Sequence, residues 1–215
     1  MVPTDNLLKP APTDNMIKRC EWVSHYSATD MMTKYNDTEW GKPLRGNDVK
    51  LFELLTLEIF QAGLSWEISL KKRSGLNEAF FHFDVDRVAS MTEADVLRLK
   101  QDENIIRNGL KIAATINNAR IIKHLQGTFG SLSEYMWHFT DNQTINHHIT
   151  RPSEIVAQNA LSQQVAKDMK KQGFKFAGPV TIYSYLQAMG VINDHESTCD
   201  FNDNCKQYLY KNMLN

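Results

Sequence analysis

From Asn47 onward the apolar residues of this chain recur at helical spacing almost without interruption, and no stretch of useful length alternates as a half-buried strand does. That pattern restricts the chain to an all-α fold. Within it, residues 50–62 read as a helix whose buried stripe is Leu51, Leu54, Leu55, Glu58 and Ala62, at the i, i+3, i+4, i+7, i+11 spacing of one face. Glu58 therefore points inward among leucines. An ionised carboxylate left alone in an apolar interior is heavily penalised, so it needs a cation, a proton or a ligand. An internal salt bridge or a backbone amide would satisfy it as well as a bound molecule would. Gly63 ends the helix and Ser65 caps the next, which sets Trp66 at the mouth of the same region.

Tyr35 and Trp40 stand in the run Tyr35-Asn36-Asp37-Thr38-Glu39-Trp40-Gly41 ahead of this helix, and Trp66 follows it. Large rings thus bracket one acid. Stacking surfaces beside a hydrogen-bond acceptor are what a pocket for a flat heterocycle requires. Taken singly, each ring would pass as core filler.

The remaining helices follow from their caps. Thr92 with Asp95 forms a capping box for 93–100, and Ser131 with Glu134 opens a helix through 139. Residues 105–126, closed by Gly127, read as a long central helix on which Ile105, Ile112 and Ile116 share a face widened by Ile106, Leu110 and Ala113. Residues 140–153 read as a loop. A helix over 161–172 ends at Gly173; a glycine-bounded hairpin follows, and Gly178 with Pro179 opens a helix to Met189, closed by Gly190. The free amides at that last helix start form a natural phosphate seat, although a plain helical hairpin has the same pattern.

With 215 residues, 42% hydrophobic, and a formal net charge of -1, the chain can bury a core as one domain, of one or two lobes, over 18–215. Residues 1–17, with three prolines, read as a loosely ordered tail. No apolar stretch approaches the roughly 18 residues of a membrane span, and the N-terminus lacks a secretory layout. A cytoplasmic protein without a membrane partner is expected. Near-neutral charge makes no general case for nucleic acid. Lys71-Lys72-Arg73 and Lys170-Lys171 with Lys175 could form a local phosphate-binding face, or simply solvated helix faces. Cys20, Cys199 and Cys205 are an odd set that argues against a disulfide framework. His195 and Cys199, spaced as on one helical turn, could share a zinc ion with Cys20, with Cys205, His25 or a water as fourth ligand; reduced cysteines beside a surface histidine are the alternative. Walker loops, dinucleotide fingerprints, Gly-x-Ser-x-Gly elbows and His-Glu-x-x-His are absent from the sequence.

An ordered set of motifs joins these features. It runs through Arg19-Cys20-Glu21-Trp22-Val23, the 35–41 segment, Leu57-Glu58, Gln61-Ala62-Gly63-Leu64-Ser65-Trp66, Leu70-Lys71-Lys72-Arg73, Gly173-Phe174-Lys175-Phe176-Ala177-Gly178 and Asn193-Asp194-His195 to Cys199. In it the chain resembles the type I 3-methyladenine DNA glycosylases of bacterial base-excision repair. The resemblance implies a helix-hairpin-helix glycosylase with two helical lobes about a cleft. It implies a monofunctional enzyme, without lyase activity, that takes alkylated double-stranded DNA, releases free 3-methyladenine and needs no catalytic cofactor. Glu58, Tyr35, Trp40 and Trp66 would form the base pocket, with Glu58 opposing the positive charge of the base. Leu64, beside Gly63, would wedge the duplex open. Gly173, Lys175 and Gly178 would hold phosphate. Cys20, His195 and Cys199 would hold a structural zinc, but the fourth ligand, a histidine in the family, is Asn36 here. Asparagine is a poor zinc ligand, so zinc is expected to be absent or loosely held.

Two other readings set limits. A DNA binder without turnover would have little reason to keep Glu58 among its rings. A zinc-dependent hydrolase is disfavoured because the candidate ligands stand at the chain ends, away from Glu58. A monomer is expected.

Overall fold

The computed structural model describes residues 17–202, so nearly all of the tail read over 1–17, and Cys205, lie outside the described residues. The all-α reading holds. Helix α1 (Met31–Thr38) is capped by the Asp30 side chain, which accepts from the Met32 amide. Helix α2 (Asp48–Gln61) is capped by Asn47, whose side chain accepts from the Lys50 amide. Every residue from Leu51 to Phe60 is buried, so α2 is enclosed on all sides and does not merely present a stripe. It packs against α3 (Trp66–Lys71), α7 (Gly109–Phe129), α8 (Leu132–Trp137) and α10 (Pro179–Ala188). Its N-terminal Asp48 carboxylate also accepts from the Leu132 and Ser133 amides at 2.9 and 3.0 Å, capping α8. Lys111 closes the other end: its buried ammonium donates to the carbonyls of Phe60 and Ala62 at 3.0 and 2.6 Å, two of the acceptors a helix C-terminus leaves open.

The central helix is therefore α2. The helix read over 105–126 begins later, at Gly109, and runs on to Phe129. Asn108 decides the start, because its side chain accepts from the Leu110 and Lys111 amides. Gly109 is thus the first helical residue, and the helix ends at Gly130, whose φ is +89°. Ile105, before the helix, is buried on its own account, whereas Leu110 is 74% exposed and Ala113 is also on the surface. The buried face is carried by Ile112, Ile116, Ala119 and Ile122. Ala62, likewise assigned to a buried stripe, is exposed just past the end of α2.

Helices α4 (Arg73–Ala79), α5 (Val85–Ala89) and α6 (Glu93–Leu99) complete the half of the molecule that leans on α7, α6 with the expected Thr92–Asp95 capping box. Helix α9 (Ala160–Gln172) ends at Gly173, with φ +100°, and a hairpin leads into α10 through Pro179. Gly190, with φ +73°, then lets the chain pass so close to Lys42 that a Cβ would lie 2.2 Å from its carbonyl carbon. Residues 140–153 are not wholly irregular: β1 (Ile145–Asn146) pairs in parallel with β2 (Ile192–Asn193), Ile145 opposite Ile192. That short ladder pins the segment carrying Asp194 and His195. No described helix is long and apolar enough to cross a membrane.

The large core around α2 is one hydrophobic cluster, and Cys20, Val23, Met32, Tyr35, Trp40, Leu70 and Cys199 make a second, smaller one. Trp66 and Ile155 pack against both. The candidate site opens where the two meet.

Candidate active site

A cavity of about 210 Å³ at this junction is lined by Trp22, Tyr35, Trp40, Glu58, Gln61 and Trp66, together with Pro152, Ile155, Ser184 and Gln187 from later in the chain. That is smaller than the roughly 300 Å³ at which pockets for drug-sized ligands begin. One heterocycle is its natural occupant. Helix α2 carries Glu58 and Gln61, α1 carries Tyr35, and the Ser65 hydroxyl, accepting from the Ile68 amide, starts α3 so that Trp66 is its first residue. The Tyr35 and Trp66 rings lie 4.9 Å apart at 51°, and Trp22 meets Trp40 edge-on at 5.4 Å.

Glu58 is 5% exposed and has no hydrogen-bond or ion-pair partner among the described residues. The internal salt bridge that would have explained it does not occur among the described residues. Burial alone pushes its carboxyl up to about 8. The empty pocket thus holds this acid protonated at neutral pH, and a cationic ligand would favour its ionisation. Burial, and then the Glu58 charge, push the Tyr35 phenol well above its ordinary range, so it stays a neutral donor.

Residues 22–203 match a family model described as methyladenine glycosylase. The chain belongs to that family. It is 41% identical over 183 residues to DNA-3-methyladenine glycosylase 1 of Escherichia coli K12, covering 85% of this chain and 96% of that one. It is 35% identical over 184 residues to DNA-3-methyladenine glycosylase of Haemophilus influenzae, covering 86% and 97%. Among solved structures, a crystal structure of 3-methyladenine DNA glycosylase I superposes with a TM-score of 0.78 at 40% identity, covering 85% of this chain and 98% of that chain. The enzyme from Staphylococcus aureus, solved for its recognition of 3-methyladenine, superposes with a TM-score of 0.77 at 35% identity, covering 81% and 93%.

In this methyladenine glycosylase the structure brings together all four residues singled out for the pocket, Tyr35, Trp40, Glu58 and Trp66. It adds Trp22, Gln61, Ser184 and Gln187, to which the sequence reading assigned no part. Gln187 carried a usable signal, since it is a polar residue on the buried side of α10 beside Leu186, as Glu58 is on α2. Pro152 and Ile155 carried none. Leu64 is 42% exposed at a turn made possible by Gly63, whose φ is +83°.

The hairpin over 173–178, expected to hold phosphate through its amides, is open only in part. The amides of Gly173 and Lys175 are taken within the fold, by the Lys170 carbonyl at 3.1 Å and the Asn118 side chain at 2.8 Å. The amides of residues 176–178 have no acceptor among the described residues, and the Lys175 side chain is exposed. The run Lys71-Lys72-Arg73 is not a free cationic face either. Lys71 pairs with Glu67, Lys72 donates to the Glu103 carbonyl at 2.7 Å, and Arg73 is engaged by Glu39 and Glu53.

Cys20, His195 and Cys199 converge, with ligand atoms within 4.8 Å of one another and all three residues buried. They do so without the helical turn inferred from their spacing: residues 195–199 form an irregular turn in which the Cys199 amide donates to the Glu196 carbonyl at 2.8 Å. His195 Nδ1 lies 3.2 Å from Cys20 Sγ and 3.4 Å from Cys199 Sγ, while Nε2 lies 2.8 Å from the Trp40 carbonyl. That carbonyl can only accept, so Nε2 carries the proton and Nδ1 is left as a donor atom for a metal. The hydrogen bond between the thiols, and burial, push Cys20 up, while the bond from Cys20 holds Cys199 down; one thiolate is already present. The three donors fit a zinc ion, but no fourth His, Cys or carboxylate joins them among the described residues; Asn36, at the position where the resemblance puts a histidine, is fully buried, its amide nitrogen donates to Asp37 at 3.0 Å and its oxygen has no partner among the described residues. His25 is exposed and outside the group. The His195 ring also meets Trp40 edge-on at 4.8 Å. The group therefore stands one ring behind the pocket, not remote from it, although none of its residues lines the cavity.

Proposed function

We propose that this chain excises 3-methyladenine from alkylated double-stranded DNA by base flipping, as a monofunctional enzyme that acts as a monomer in the cytoplasm. The observation that carries the reading is Glu58, buried without a protein partner in a ring-lined cavity the size of one base. Methylation at N3 makes the base a cationic leaving group with a weakened glycosidic bond. Tyr35, Trp40 and Trp66 would stack against the extruded base, and Glu58, ionised by the charge it faces, would oppose that charge and bind the base edge. When C1′–N9 breaks, the base departs with the bonding electrons as neutral 3-methyladenine; a water oxygen bonds to C1′ and its proton passes to solvent. Binding that favours this geometry supplies most of the rate. No described lysine lines the cavity, which supports hydrolysis without a lyase step.

Leu64 would fill the gap left by the base, and the open amides of 176–178 with Lys175 would hold phosphate. Incubation with methylated DNA should release free 3-methyladenine and leave the backbone uncut, with DNA affinity falling steeply as salt rises. No release would overturn the reading.

Zinc, where bound, would be structural, tying the two ends of the chain through Cys20, His195 Nδ1 and Cys199. With Asn36 where the resemblance puts a histidine ligand, chelator-washed protein should contain well under one zinc per chain and still release base. Full occupancy after washing would overturn this.

A further inference from the structure

Gln187 lines the same cavity as Glu58, and its surroundings determine which end of its carboxamide is open. Its Nε2 donates to Oδ2 of Asp194 at 2.7 Å. Asp194 is fully buried and holds two further donors, the Tyr183 hydroxyl at 2.7 Å on the same oxygen and His147 Nδ1 at 2.6 Å on the other. A carboxylate only accepts, so the amino end of Gln187 must face Asp194. The carboxamide oxygen is the end turned away, and it accepts no hydrogen bond from the described residues. The backbone is held too, since the Gln187 carbonyl accepts from the Gly41 and Gly190 amides at 2.9 and 3.1 Å.

We infer that Gln187 is a specificity-determining residue whose carboxamide oxygen accepts a hydrogen bond from the exocyclic 6-amino group of the flipped base, and that Asp194 is the positioning residue that keeps it an acceptor. The inference rests on the pocket being a base pocket. A fixed acceptor attracts a 6-amino purine and repels a 6-oxo purine, whose edge presents a second lone pair. Rejection of undamaged adenine, which carries the same amino group, falls instead to the methyl-borne charge opposite Glu58.

Binding of free 3-methyladenine and free 3-methylhypoxanthine by calorimetric titration tests this. The parent should prefer the 6-amino base by at least about tenfold, the worth of one neutral hydrogen bond against an unpaired acceptor. Gln187→Met should reduce that preference about tenfold, by weakening 3-methyladenine and sparing the 6-oxo base. Asp194→Val, which frees the carboxamide to turn over, should shift the preference toward the 6-oxo base. A purely structural role would weaken both ligands alike, and that result overturns the inference. So does a parent that binds the two bases equally, a comparison that needs no variant to fold. A parent that neither binds nor releases 3-methyladenine removes the base pocket itself, and is read apart from a lost preference.

Discussion

Glu58→Gln should lower turnover on methylated DNA by roughly 10²–10³-fold and at the same time make the protein more stable above neutral pH. Both effects come from the same unpartnered carboxyl. Burial lifts it from 4.5 to about 8 in the folded chain. Below pH 4.5 it is protonated in folded and unfolded chains alike and stability is untouched. As pH rises from 4.5 to 8 the unfolded chain gives up this proton and the folded chain keeps it, so stability falls over that window. Above pH 8 the folded protein carries a penalty on the order of 4 kcal/mol from this group, which glutamine lacks. Thermal melts of parent and variant from pH 4 to 9 should diverge as pH rises. Parallel curves would mean that Glu58 has an internal partner. Activity runs the other way: kcat/KM of the parent should rise through about pH 8 as the free enzyme ionises, and this limb should vanish in Glu58→Gln. The site holds an acid that the fold alone would be better without.

Arg73→Met should destabilise the chain by about 3–5 kcal/mol, lowering Tm by roughly 10 °C. The guanidinium donates to both oxygens of Glu39 at 2.8 and 2.7 Å and to both oxygens of Glu53 at 2.8 and 3.0 Å, and Lys50 and Asn77 complete the cluster. It ties α4 to the end of α1 and the middle of α2. Removing it leaves Glu53, only 6% exposed, with Lys50 and Asn77 alone. Burial by itself would raise Glu53, but the bonds and charge of Arg73, with Lys50 and Asn77, hold it down to about 2. A depressed carboxyl stabilises above its unfolded value and stops doing so in acid, so the parent should lose this contribution as pH falls from 4.5 to 2. The variant should show a shallower acid slope. A Tm within a degree or two of the parent would show the cluster to be a surface ornament. Because Glu39 adjoins Trp40, weaker 3-methyladenine binding should accompany the loss.

These two acids illustrate how far a sequence can be read. Glu53 and Glu58 lie on one buried helix, and their spacing cannot tell which has a cation and which has none. Arg73 lies 20 residues after Glu53 and reaches it because α4 folds back over α2. The same distance effect hid the partners of the Lys71-Lys72-Arg73 run, and hid Ser184 and Gln187, which approach the pocket from the other end of the chain.

Helical periodicity, the caps at Ser65, Thr92 and Ser131, the stops at Gly63, Gly173 and Gly190 and the wrongly placed charge of Glu58 were legible because each depends on residues a few positions apart. Such neighbours share backbone geometry, and their physics is local. Which helix is enclosed, whether a buried acid is paired, and how His195 comes to meet Cys20 and Trp40 depend on contacts across 20 to 175 residues. Those contacts exist only once α2 has been surrounded, because burial of that helix is what draws α1, α3 and α10 around Glu58 to make a pocket.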